Sequence, residues 1–125
     1  VILGLAARQA AERIDAPRAR ERIEEAFATI REYRDEEGRF EFLRRRNRYF
    51  RLLVEISGND EIHRILPRLQ VHLIRNRLTV PPADRIEGYR RITEAVLAGD
   101  GPTAETMARE YVAGTASCVL PHFPD

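Results

Sequence analysis

Apolar residues recur at three- and four-residue steps along nearly the whole chain, and no stretch alternates apolar and polar positions between hairpin turns. The pattern predicts an all-α fold. A first helix runs to about residue 14. Asp15-Ala16-Pro17 then offers an acceptor side chain and a proline at the start of a second helix over about 17–33, with Ala19, Ile23, Ala26, Phe27 and Ile30 as its buried stripe. After the polar link Asp35-Glu36-Glu37-Gly38, a third helix covers about 40–56, closed by Ser57-Gly58-Asn59 with the glycine at its C-cap. Asn59 or Asp60 starts a fourth helix, about 60–78, in which Pro67 removes one hydrogen bond and predicts a kink. A fifth helix, about 83–98, ends at Gly99-Asp100-Gly101, and a sixth spans about 102–119. Links this short favour antiparallel neighbours, so the expected architecture is an antiparallel bundle of about six helices.

The chain has 125 residues, enough for one domain over 1–125 that buries roughly two-thirds of the surface exposed by its unfolded form. Hydrophobic residues make up 43% and charged residues 33%, and no apolar run approaches the roughly eighteen residues of a membrane span, so no membrane partner is expected. Basic and acidic residues number 21 and 20, so no global field attracts nucleic acid. Every basic residue is arginine and none is lysine, a pattern that a GC-rich coding bias explains before chemistry does. The single cysteine, Cys118, excludes an internal disulfide and multi-cysteine metal sites, in keeping with a reducing cytoplasm. The apolar opening, Val1 to Leu5, lacks both methionine and a secretory n-region and reads as a fragment that begins inside a helix.

Three phrases, in order, carry a resemblance. Leu5-Ala6-Ala7-Arg8-Gln9-Ala10-Ala11-Glu12-Arg13 is one, and Tyr49-Phe50-Arg51-Leu52-Leu53 leading to Ser57-Gly58-Asn59 is the second. The third joins Arg90-Arg91-Ile92, Ala95-Val96 and Gly99-Asp100 to Ala104, Met107 and Glu110. Together they resemble the FadR C-terminal domain family, FCD, the effector-binding domain of one branch of GntR-type bacterial regulators. The resemblance implies a homodimer that senses a small-molecule effector, touches DNA only through an N-terminal winged helix-turn-helix, and is not an enzyme.

The resemblance also implies a divalent metal held by one aspartate and three histidines, which helps bind a carboxylate. This sequence departs from that set. Counting from Ser57-Gly58-Asn59, the aspartate position falls on Arg46 and the first histidine on Phe50; counting from Gly99-Asp100 and Met107, the other two fall on Tyr89 and Tyr111. A one-residue slip in the third helix would change the first two assignments, but a helix rarely absorbs a deletion. No cofactor is therefore expected, and the site is expected to hold one arginine and two phenols, with Arg46 as the receptor for a carboxylate. His72 and Arg75, a turn apart, could add a second polar edge.

Other readings stay open beside this one. Arg44-Arg45-Arg46-Asn47-Arg48 is a charge run of the kind that usually forms a solvated face, and the tyrosines and Phe50 could be plain core. The pocket could be apolar and take a fatty or aromatic effector, or be filled. The bundle could be a dimerisation module without a pocket, or bind nucleic acid through the cluster from Arg44 to Arg51. His63 and His72, nine residues apart, lie on roughly opposite helix faces and make a poor metal pair, and His122 lies in a proline-flanked tail. No motif for a nucleophile with its base, a zinc site or a phosphate loop is present.

Overall fold

A computed structural model describes the backbone of residues 2–65 and 82–119 and, within these, all side chains except those of residues 35, 39, 82–85 and 113–119. The described backbone is helical throughout, apart from turns. Its elements are α1 (Ile2–Glu12), α2 (Ala19–Arg31), a 3-10 turn (Asp35–Glu37), α3 (Arg39–Ser57), α5 (Pro82–Leu97) and α6 (Gly101–Val119). Between α3 and α5 a further helix, α4, is described over residues 60–65. The expected kink at Pro67 lies outside the described residues.

Helix α1 occupies the centre because its residues are small. Gly4, Ala6, Ala7, Ala10 and Ala11 are all buried, and without long side chains the backbone comes close enough to pack against α3, α5 and α6 at once. Around it, α2 packs on α3 and α5, and α5 on α6. The stripe Ala19, Ile23, Ala26, Phe27 and Ile30 of α2 is buried as its spacing predicts.

The glycines and acceptors at helix ends act largely as expected. Gly58 takes a left-handed conformation, φ 68°, and closes α3. The Asn59 side-chain carbonyl then accepts the Ile62 amide at 3.1 Å, so of the two candidate starts for α4 it is Asn59 that caps. Gly99, φ 70°, ends α5 while the Asp100 amide donates back to the Ala95 carbonyl at 3.0 Å. Asp100 next caps α6, accepting from the Thr103 hydroxyl and amide at 2.6 and 3.2 Å, and these bonds hold its carboxyl below the ordinary range. One pair of residues thus stops one helix and starts the next, which forces α5 and α6 to lie antiparallel.

The start of α2 differs from expectation. Neither Asp15 nor Pro17 begins it; the helix starts at Ala19, and Arg18 before it sits at φ 64° with no side-chain cap. Pro17 disfavours helical geometry at Ala16, so the chain turns through successive short bonds, Ala16 to Arg13 and Ala19 to Ala16, before entering α2. A left-handed arginine is strained by its Cβ, and its ion pair with Glu21, 3.7 Å between exposed groups, offsets little. Arg18→Gly is expected to stabilise the fold by up to about 1 kcal/mol, read as a raised urea midpoint with an unchanged slope.

Candidate functional site

The arginine run of α3 divides by helix face. Arg44 and Arg48 point outward and meet Glu41 and Glu25 at 2.7 and 3.3 Å. Arg45, half-buried, donates to Glu37, Glu41 and the Thr29 carbonyl, and stacks over Tyr33, tying the 3-10 turn to α2 and α3. The Arg44 and Arg45 guanidiniums hold the Glu41 carboxyl down at about 2. Because these three cations already face carboxylates, the run is a poor surface for phosphate.

Arg46 is the exception, at 1% exposure the largest fully buried side chain among the described residues. Its position is dictated by spacing: Phe42, Arg46, Phe50 and Leu53 follow each other at steps of three or four and share the face that α3 turns inward. The guanidinium lies 5.8 Å from the Phe50 ring centroid, and Nη2 donates a long bond, 3.3 Å, to the Asn47 side-chain carbonyl. Its Nε has no hydrogen-bond partner among the described residues, and no described carboxylate pairs with the group. A buried cation with an unused donor is costly in the free protein and is met best by an anion.

The other three positions converge on the same spot. The Phe50 ring lies 5.7 Å from Tyr89 and 6.4 Å from Tyr111, and the two tyrosine rings lie 4.9 Å apart with their hydroxyls hydrogen-bonded at 2.7 Å. Helices α3, α5 and α6 therefore bring Arg46, Phe50, Tyr89 and Tyr111 into one cluster, extended by Phe42 and Tyr49, whose centroids stand 6.3 and 5.5 Å from Tyr89. His72 and Arg75 lie outside the described residues, and His63 is exposed. Among the described residues no group of three or more histidine, cysteine, aspartate or glutamate side chains could hold a metal ion.

Three residues at this cluster, Tyr49, Thr93 and Gly88, were not among the site residues expected from the sequence. The Tyr49 hydroxyl shares a 2.5 Å hydrogen bond with the Thr93 hydroxyl, both buried, and so links α3 to α5 beside the Tyr49–Tyr89 ring contact. Burial pushes the Tyr49 phenol above its ordinary range, against the smaller opposing effect of the Thr93 bond. Gly88 lies against the Tyr111 ring. A tyrosine one turn from an inward arginine, facing a threonine on another helix, is a pairing that periodicity cannot announce.

Compared with known protein families, residues 1–114 match the family model described as FCD domain. No curated protein matches the chain.

Proposed function

From the premise that this chain belongs to the FCD domain family, the effector-binding domains of GntR-type transcription regulators, we propose that it senses a small carboxylate through Arg46 without the divalent metal implied by the family resemblance. The observation that carries this reading is the buried Arg46 guanidinium, whose Nε–H has no partner among the described residues. A carboxylate brought to it would gain charge-assisted hydrogen bonds from a buried cation that no described carboxylate pairs. Phe50 gives the guanidinium a ring to stack on, and Tyr89 and Tyr111 offer phenols to the rest of the effector.

The donor set does not fit the metal. A divalent cation is held by carboxylate oxygens and neutral imidazoles. Here the corresponding positions carry a guanidinium that repels cations, a phenyl ring and two phenols that are weak donors unless deprotonated.

In this reading the domain is a cytoplasmic homodimer that holds two N-terminal winged helix-turn-helix heads at a spacing matched to a palindromic operator, and it contacts no DNA itself. The effector alters DNA affinity only by the margin with which it prefers one dimer arrangement to the other. The function is regulatory, not catalytic.

Melting the protein against acetate, benzoate, a fatty acid, zinc and nickel tests the reading. A carboxylate at a hundredfold excess over its Kd is expected to add about 2.7 kcal/mol of stability, with no rise from either metal. A rise with zinc or nickel overturns the metal-free site, and no response to any carboxylate favours a dimerisation module.

A further inference from the structure

Gly88 stands within α5, where glycine is the poorest helix former short of proline, and its backbone does not need glycine's freedom, because among the described glycines only Gly38, Gly58 and Gly99 have positive φ. What it supplies is space. A Cβ at this position would lie 2.7 Å from Tyr111 Cδ2, 3.4 Å from Cε2 and 3.6 Å from Cγ. Carbon atoms rest about 3.5–4.0 Å apart, so even alanine would drive the ring off α5 by more than half an ångström. The ring cannot give way alone, since its hydroxyl is bonded to that of Tyr89, the next residue along α5, and it stands edge-to-face with the Phe50 ring.

We infer that Gly88 is the positioning residue of this site: its bare α-carbon is what lets Tyr111 lie against α5, and it thereby sets the phenol pair that faces the part of an effector beyond its carboxylate. The selectivity half of this inference rests on the Arg46 reading; the positional half does not. A ligand that covers only the guanidinium is indifferent to residue 88, and one that reaches the phenols is not.

Gly88→Ala tests both halves in the full chain. With no tryptophan and four tyrosines in the sequence, near-ultraviolet circular dichroism reports the tyrosines with little else beneath them. That signal is expected to change in Gly88→Ala, and the melting temperature to fall. In a Tyr111→Val background the same Gly88→Ala change is expected to leave the melting temperature level or raise it, because the ring is gone and alanine is the better helix former. For binding, calorimetry with acetate and benzoate is expected to show Gly88→Ala weakening benzoate about tenfold or more while acetate stays within about twofold. An unchanged tyrosine signal, an equal fall in melting temperature in both backgrounds, or an equal loss of both probes overturns the assignment. If neither probe binds the unmodified protein, the Arg46 reading fails, and the spectrum and the two-background comparison still decide the position of Gly88.

Discussion

Arg46→Met is expected to raise the stability of the ligand-free protein by about 1–3 kcal/mol while abolishing stabilisation by carboxylates. Methionine fills much of the same elongated volume with a flexible apolar chain, so the change removes the charge without emptying the core. What is lost is a cation at 1% exposure whose Nε bonds to nothing among the described residues and whose Nη2 makes only a long bond, 3.3 Å, to the Asn47 side chain. Arg46→Ala, in contrast, opens a cavity among Phe42, Phe50 and Leu53 and is expected to destabilise. Thermal melts with and without benzoate check both variants. A methionine variant less stable than the parent would mean that the guanidinium is better satisfied than its contacts indicate, and one that still responds to carboxylate would move the anion receptor elsewhere.

Tyr49→Phe is expected to cost about 1–3 kcal/mol, the effect of leaving the buried Thr93 hydroxyl without its 2.5 Å partner. Thr93→Val should cost a similar amount for the mirror reason. The double variant is expected to lose much less than the sum, because replacing both hydroxyls with apolar atoms of similar shape leaves nothing unpaired. Urea denaturation of the four proteins measures this coupling, and strict additivity would show that the contact contributes nothing. Burial holds the Tyr49 phenol neutral in the folded protein, whereas the unfolded chain ionises near the ordinary value of about 10. Stability should therefore fall as pH rises through that range, with a shallower fall in Tyr49→Phe. The link matters to the site because α3 carries Arg46 and Phe50 and α5 carries Tyr89, and this bond is a direct polar tie between the two helices.

The helices were legible because each shows its apolar stripe within its own sequence. Ile23, Phe27 and Ile30 in α2, or Phe42, Leu53 and Ile56 in α3, are buried where their spacing puts them. Gly58 and Gly99 mark helix ends through backbone geometry that glycine adopts most readily, so those ends too could be read locally. The start of α2 could not, since the order Asp15-Ala16-Pro17 is consistent with a cap and a first helical proline as well as with the turn actually taken. The gathering of Arg46, Phe50, Tyr89 and Tyr111 was expected from family positions, and periodicity alone left Arg46 between an inward face and a solvated run.

What the sequence by itself determined is the all-α class and the apolar stripes of the helices, which follow from spacing along one chain segment, while the residue types at the four site positions were picked out through the family resemblance. Only the tertiary structure decided that Arg46 turns in while Arg44 and Arg48 turn out to Glu41 and Glu25, and that Tyr49 meets Thr93. It also decided that Gly88 yields its space to Tyr111. Apart from the Arg44 pair within α3, these are contacts between residues distant in sequence, fixed by how α3 packs on α2 and α5, and α5 on α6. A helical period states which way a side chain points, and the neighbouring helices determine what it meets there.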